Sequence, residues 1–544
     1  MGGGDVRQPD KHVMFYSPAH HCVIYQHADP ASIVAGIAGS RQVNGSMVAV
    51  PATLFNMQLA RVMGLSVPPV LDLVGYDWPS QPGRAPYKHQ RHMANFHILH
   101  PRSFNLSEMG TGKTLAALWA ADYLMREGII HRCLIISPLS TLKRVWDDEI
   151  FRAFLDKRKA VILHGTRDER LFRLRKDVDF YIINHDGLAI GSKRTNHKLE
   201  LGKLAEQIQM RQDIDLIIID EASAYKDGAT QRSRILRATI GRKSYIWAMS
   251  GTPTPNAPTD AHSLARIVGN LQGESYQSFR GRTMAQVSPF KWVPRAGAAE
   301  IVRKALSPAV RFSRAECIDL PECVIETRDV ELSAIQEAAY KALKKDLQVT
   351  LGNGKIISAV NEAVLRIKLL QIVGGACYGP DREVIKTDCA PRLAVLKEVI
   401  DEAGAKVLVF ANLTSLVNLL TAELRSTYGN EAVGRIYGAT GQSERNRVFQ
   451  AFEEDANPRI IVADPGTMSH GLTLVAANTI IWFTPIDRGE LYQQANARIN
   501  RPGQKNKMLI VRLASTPIER EIYRRLQENE TLQGVVLKLV EEER

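Results

Sequence analysis

Ser107-Glu-Met-Gly-Thr-Gly-Lys113-Thr114 is the stretch on which the reading of this 544-residue chain turns. Phe104–Ser107 can end a strand, and Thr114–Met125 reads as a helix. A glycine-rich turn between a strand and a helix aims several backbone N–H groups at one spot, and the helix N-terminus adds positive partial charge there. Lys113 can reach the β- and γ-phosphates of a nucleoside triphosphate, and Thr114 can bind Mg2+. Glu108, Met109, Gly110, Thr111 and Gly112 complete the expected cradle. The leading glycine of the usual pattern is Ser107 here. The competing reading is an ordinary glycine turn.

Downstream, short apolar runs recur between loops and helix-like stretches, as buried parallel strands should. Cys133–Ser137, Phe180–Asn184, Leu216–Asp220 and Ser244–Ser250 fit this pattern, so residues 87 to about 269 predict an open parallel sheet with flanking helices. Asp220-Glu221 ends one such run. A carboxylate leaving a buried strand suits a metal, so Asp220 is assigned Mg2+ and Glu221 the attacking water. Alone, the pair would equally be a surface acidic pair. Ser250-Gly-Thr-Pro-Thr-Pro-Asn256 follows the last of these strands and, taken alone, is a turn. Further on, Gln494, Arg498 and Arg501 stand at i, i+4 and i+7, so a helix would put them on one face before Pro502 stops it. Two arginines aimed at one point suit a triphosphate in its transition state. By itself the stretch reads as a solvated basic helix.

The second half repeats the alternation. Val407–Ala411, Ala432–Tyr437, Ile460–Ala463, Thr479–Phe483 and Met508–Leu513 are its strand candidates. The domain organisation expected is a flexible tail at 1–12, a small α/β module at 13–75 and a turn-rich linker at 76–86. An ATP-binding domain with its connecting segment follows at 87–319, then a second domain at 320–517 and a charged amphipathic helix at 518–544.

Lys plus Arg number 70 against 58 Asp plus Glu, a net charge of +12. This balance favours an acidic partner, nucleic acid first, although solubility alone also explains it. The six cysteines form no C-x-x-C pair and no zinc set, so reduced thiols and no structural zinc are expected. No run approaches the roughly 18 apolar residues of a membrane span. A polar start without an apolar signal core points to the cytoplasm, bacterial or of a phage-infected host.

Taken together, these motifs resemble superfamily-2 helicases of the Swi/Snf type over about residues 85–515. The Ser107–Thr114 loop is similar to that group's E-M-G-x-G-K-T. Tyr87-Lys-His-Gln90 looks like its upstream glutamine motif, with Gln90 on the adenine edge. Leu134-Ile-Ile-Ser-Pro138-Leu-Ser140-Thr141-Leu-Lys143, with the later Trp146 and Glu149, resembles the next motif. Asp220–Ser223 looks like D-E-x-H with Ser223 in place of His, and Ser250–Asn256 matches S-G-T-P-x-x-N. Lys406–Phe410 resembles the opening strand of the second motor domain, and Tyr437-Gly438 through Arg445 the motif after it. Asp464 through Gly471-Leu472 sits where the family has G-G-x-G-L-N-L, with Thr473 for Asn. Gln494–Gln504 is similar to Q-x-x-x-R-x-x-R-x-G-Q.

The resemblance implies two tandem RecA-like α/β domains that bind ATP and Mg2+ between them, with the small N-terminal α/β module in front. It assigns Lys113, Asp220, Glu221, Arg498 and Arg501 to catalysis, and Gly471 and Gln494 to the nucleotide as well. DNA contacts, mainly to phosphates, are assigned to the region of Ser140, Thr141, Lys143, Asn184, Thr252, Arg445 and Ser469. The expected activity is a DNA-dependent ATPase that moves on duplex or branched DNA, for annealing, branch migration or unwinding alongside replication or recombination proteins. An RNA helicase and a non-catalytic DNA-binding scaffold are the alternatives. Ser223 can still hydrogen-bond, so coupling of hydrolysis to DNA is expected to persist. The module at 13–75 is either a DNA-binding domain or a cap on the first motor domain. The short segment before Lys406 fits a compact phage or bacterial member.

Overall fold

The computed structural model describes residues 14–528, apart from 82–84, 196–197, 272, 289–290, 318–320, 347, 351–355, 359–361, 380–382, 469–473 and 502. The expected tail at 1–12 and the terminal helix beyond 528 lie outside these. The chain forms two compact units. One takes in the chain up to Pro253 together with Thr259–Phe312; the other takes in Thr254–Pro258 and the chain from Ser313 onward.

The first unit is built on a seven-stranded sheet. Its order is Ala309–Val310, Arg102–Asn105, Tyr245–Met249, Ile214–Ile219, Arg132–Ser137, Phe180–Asn184 and Ala160–Ile162, and every pairing is parallel. The three central strands carry apolar runs such as Leu216-Ile-Ile-Ile219 and are buried on both faces, because helices cover each side of a parallel sheet. Parallel strands all end at one edge. The phosphate loop, Pro138, Asn184, Asp220 and Ser250 therefore emerge along the same carboxyl edge, where ligands of open α/β sheets bind.

The N-terminal module is an antiparallel sheet in the order Met14–Ser17, Cys22–Gln26, Met47–Pro51 and Arg41–Asn44, with helices Pro30–Gly36 and Leu54–Val62. Arg41–Asn44 is exposed throughout and has no apolar alternation, which is why it is not legible in the sequence. The module packs on helix Lys88–Leu99: Gln58 Nε2 donates to Ile98 O at 2.8 Å, and Leu71 N donates to Asn95 Oδ1 at 2.8 Å. The turn-rich segment after it is anchored, not a free linker. Tyr76 and Trp78 are buried, Trp78 meets Trp119 edge-on at 5.3 Å, and Trp119 Nε1 donates to Pro79 O at 2.7 Å.

The connecting segment is organised where it is described. Helices Tyr276–Thr283 and Ala298–Ala305 flank a hairpin of Met284–Ser288 and Lys291–Pro294, and Ala309–Val310 joins the main sheet beside Arg102–Asn105. Two residues are too short to show a strand period, so only pairing reveals that strand.

The second unit holds a six-stranded parallel sheet in the order Cys323–Asp329, Met508–Ala514, Ala477–Trp482, Lys406–Phe410, Ile460–Ala463 and Val433–Ile436. Successive side chains of a strand point to opposite faces. Accordingly Leu408 and Phe410 join one core, with Phe449, Trp482 and Tyr492, while Val407 and Val409 join the other, with Leu396, Leu420 and Leu424. A buried ion pair, Arg392 Nη2 to Glu519 Oε1 at 2.7 Å, ties helix Ala390–Glu402 to the segment after the last strand. Among the described residues no helix is long and apolar enough to cross a membrane. The architecture is that of two tandem RecA-like domains preceded by a small α/β module.

Candidate functional site: a phosphate loop facing two carboxylates

The phosphate loop leaves strand Arg102–Asn105 and enters helix Lys113–Arg126. Gly110 and Gly112 have φ of 87° and 79°, a left-handed conformation that side chains resist. At Gly112 the space is also closed, since a Cβ there would lie 2.0 Å from Gln90 Nε2. Gln90 is thus packed over the loop; its Oε1 accepts from Tyr87 N at 3.0 Å, which holds the amide in place. His89 adds a contact from its ring nitrogen Nε2 to Thr111 O at 3.0 Å. Glu108 and Met109 are half-buried, Gly110 is exposed, and Thr111 is buried with its hydroxyl donating to Glu108 O at 2.8 Å. Thr114 is half-buried in the first helical turn.

Ser107 takes a structural role where a glycine is usual. Its Oγ accepts from Phe312 N at 3.0 Å, while Glu108 N donates to Phe312 O at 2.9 Å. Residues 308–312 therefore run alongside the loop as a brace. Arg311 belongs to it: Nη2 lies 3.3 Å from Glu108 Oε1. Arg311 and Phe312 were not legible as site residues, because they reach the loop from about 200 positions away and belong to no motif.

Lys113 Nζ donates to Ser107 O at 2.5 Å and Glu108 O at 3.1 Å. Burial pushes its pKa down, and the negative charges of Glu221, Asp220 and Glu108 push it back up. An ammonium so placed, facing two carboxylates across a cradle of N–H groups, suits a ligand that carries phosphate and a divalent cation.

Asp220 follows strand Ile214–Ile219. Its Oδ2 accepts from Ser137 Oγ and from Trp146 Nε1, both at 3.0 Å. Ser137 Oγ lies 2.6 Å from Thr141 Oγ1, and Trp146 Nε1 also reaches Ser137 Oγ at 3.0 Å. Trp146 is fully buried and sits on a π-helical turn, Leu142–Asp147, of the kind that recurs at functional sites. Glu221 takes φ 49° and ψ 54°, unusual for a residue with a side chain. Such strain persists only where the surroundings impose it. Ser223 is fully buried. Gly251, next to Ser250, packs against the loop: a Cβ there would stand 3.5 Å from Met109 N.

The structure thus brings together Gln90, the loop, Lys113, Asp220 and Glu221. Of the expected strand contacts in this unit, Ser140 and Lys143 are exposed, with Lys143 Nζ paired to Asp147 Oδ2 at 2.5 Å. Asn184 is half-buried and accepts from Arg170 Nη1 at 3.2 Å. Thr141 and Thr252 are buried, and the Thr141 hydroxyl is turned inward, 2.6 Å from Ser137 Oγ and 2.8 Å from Pro138 O. Thr141 therefore acts on Ser137 and the turn, not as a side chain presented to a ligand.

In the second unit, helix Gly489–Asn496 carries Gln494, whose Nε2 donates to Glu490 Oε1 at 3.3 Å. The single helical face expected for Gln494, Arg498 and Arg501 does not form, since the helix ends at Asn496. Beyond it the i, i+4 ladder gives way, with Arg498 N donating to Ala495 O and Arg501 N to Ile499 O, both at 3.1 Å, and Arg498 O accepting from Leu474 N at 3.1 Å. Gln504 Nε2 fixes the following turn by donating to Ala477 O at 2.8 Å and Ile499 O at 3.2 Å. Arg498 is fully buried, and Arg501 is half-buried with Nε donating to Ala497 O at 3.2 Å. Arg445 is half-buried and donates to Tyr437 O and Gly438 O at 3.1 and 3.2 Å. Ser469 and Gly471 lie outside the described residues.

Residues 105–372 match the SNF2-related domain, and residues 391–503 match the helicase conserved C-terminal domain. The chain is similar to Protein CHROMATIN REMODELING 4 of Arabidopsis thaliana, at 23% identity over 430 residues, covering 75% of this chain and 19% of that protein. It is similar to protein p41 of Acyrthosiphon pisum secondary endosymbiont phage 1, at 24% identity over 442 residues, covering 75% of this chain and 87% of that one. It thus spans about a fifth of the plant protein's length and most of the phage protein's. Among solved structures, the Sulfolobus solfataricus SWI2/SNF2 ATPase core in complex with dsDNA aligns at 20% identity and a TM-score of 0.39, covering 85% of this chain and 94% of that one.

Proposed function

We propose, from the premise that this chain belongs to the SNF2-related family of helicase-class ATPases, that it uses ATP hydrolysis to move along DNA and remodel duplex or branched substrates. The observation that carries this reading is the Lys113 ammonium seated on Ser107 O and Glu108 O of the phosphate loop, where the charges of Glu221 and Asp220 also act on it. The residues fit an Mg2+-bound triphosphate: the loop and Lys113 take the phosphates, Thr114 and Asp220 the cation, and Gln90 the adenine edge. The cation neutralises phosphate charge when bound. Glu221 orients and deprotonates water for attack on the γ-phosphate. By the family resemblance, Arg498 and Arg501 are the residues proposed to stabilise the charge that develops on the transferred group.

DNA as the partner is supported by the net charge of +12 and by the exposed Ser140 and Lys143 at the carboxyl edge of the first sheet. Contacts there would be to phosphates, hence sequence-independent and sensitive to salt. The location proposed is the cytoplasm, bacterial or of a phage-infected host, with replication or recombination proteins as proposed partners. ATPase assays with duplex, fork, four-way junction, single strand and RNA test the reading. Stimulation by DNA substrates is expected. Stimulation by RNA alone would make the protein an RNA helicase, and stimulation by none would remove the motor claim.

A further inference from the structure

On the first unit, away from the phosphate loop, the turn at 226–230 and helices Gln231–Ile240 and Asp260–Val268 enclose an open cleft of about 580 Å3. That volume is in the range of small-ligand clefts, about 300–1,000 Å3, and exceeds what one phosphate needs. Three guanidiniums share it. Arg237 is half-buried, with Nη2 donating to Gly228 O at 3.1 Å, and Arg234 and Arg266 crowd against it. Lys226 adds a fourth positive charge to the lining, and Asp227 and Asp260 line it as well, so the cleft carries four basic side chains against two carboxylates. Burial lowers the Arg237 pKa, and the neighbouring charges of Arg266 and Arg234 lower it further. Like charges this close repel one another, and an anion seated among them relieves the repulsion.

A second feature lies beneath the turn that edges the cleft. Ser263 is 1% exposed, and its buried Oγ has no hydrogen-bond partner. Its position is marked by the bare Gly228, where a Cβ would stand 3.2 Å from Ser263 Oγ and 3.5 Å from Arg237 Nη1. A hydroxyl and a guanidinium thus meet beneath one turn that carries no side chain. At the rim Tyr276 is 47% exposed, with Arg280 over its ring at 5.9 Å.

We infer that this cleft binds phosphate carried by an unpaired nucleic-acid strand, the three arginines taking the backbone and Tyr276 stacking a base. Arginine forks match phosphate oxygens, and an exposed aromatic beside a basic groove is how single strands are held without sequence preference. The inference rests on the nucleic-acid reading above but names a place that no helicase motif covers.

The test uses the full chain and a fluorescent single-stranded oligonucleotide, with anisotropy followed across salt concentrations. Each phosphate contact on a single strand contributes about 0.7 to the salt slope. The double variant Arg234→Ala/Arg266→Ala should therefore lower the slope by about 1.4, and from a common 1 M intercept this is about 25-fold weaker binding at 0.1 M salt. Arg175→Ala/Arg242→Ala removes the same charge from exposed positions outside the cleft and should change neither. Tyr276→Ala should weaken single-strand binding about fivefold or more and duplex binding little. Basal ATPase without nucleic acid should persist in all variants. Equal loss in both double variants, or none in either, overturns the site. Protection of the wild type by inorganic pyrophosphate, with oligonucleotide binding intact in the cleft variant, would assign a free phosphate compound and overturn the strand. Failure of the wild type to bind any nucleic acid would instead refute the proposed function.

Discussion

Replacing Trp146 by phenylalanine removes one of the two side-chain donors that hold Asp220 Oδ2, and turnover is expected to fall while the fold survives. Trp146 Nε1 and Ser137 Oγ each stand 3.0 Å from that oxygen. A hydrogen bond to a charged group contributes about 1.5–3 kcal/mol, which converts to roughly 10- to 150-fold in rate or affinity. Partners that orient a metal ligand typically cost about 10–100-fold when lost, so the two estimates overlap. The smaller ring also leaves a cavity in a fully buried site, which lowers stability by about 1–3 kcal/mol. The assay separates the two effects. Steady-state ATPase is measured across Mg2+ concentrations, alongside the thermal midpoint. Trp119→Phe is the control: that indole is equally buried and donates to Pro79 O, so it should lose similar stability and keep the wild-type Mg2+ dependence. Wild-type turnover and Mg2+ dependence in Trp146→Phe, or the same loss in Trp119→Phe, would refute the claim that Trp146 positions Asp220.

Lys113→Ala and Glu221→Gln should each abolish ATP turnover without unfolding the protein; unchanged turnover in both would sink the assigned mechanism. Gly112→Ala should eliminate nucleotide binding and cost about 1–3 kcal/mol from the left-handed backbone alone, read by calorimetry and thermal melting. Adding Gln90→Ala to it relieves the 2.0 Å overlap but not the backbone strain, so only partial recovery of stability is expected. The first unit should lose stability in mild acid. Burial pushes the pKa of His97 down to about 3 and that of His100 down to about 4, so both stay neutral when folded. The unfolded chain takes up their protons at about 6.5, so the contribution is fully present above that pH. It is lost as pH falls from 6.5 toward the folded values, at up to about 1.4 kcal/mol per pH unit for each histidine. Melts from pH 7 to pH 5 check the slope, and a midpoint that rises on acidification contradicts it.

Buried parallel strands are legible because both faces are covered, leaving unbroken apolar runs such as Leu216–Ile219. Local chemistry also marked the phosphate loop, since a glycine turn before a helix is written in consecutive residues. The edge strand Arg41–Asn44 and the two-residue strand Ala309–Val310 carry no such period and exist only through their pairing. The helical face drawn through Gln494, Arg498 and Arg501 failed for a related reason. Spacing suggested a helix, but the backbone turns more tightly there, Arg498 N donating to Ala495 O and Arg501 N to Ile499 O, and the i, i+4 ladder stops.

Ser107–Thr114, Asp220 and Glu221 were legible as candidates in the sequence alone, because the chemistry of phosphate and metal needs those residue types at adjacent positions. Only the tertiary structure decided what holds them. Phe312 braces the loop through Ser107, Gln90 closes over Gly112, and Ser137 and Trp146 hold Asp220. These partners are brought together by a parallel sheet, whose crossovers set residues distant in the chain side by side at one edge. A local pattern records what a residue can do; which neighbour completes it is settled by pairing and packing across the chain.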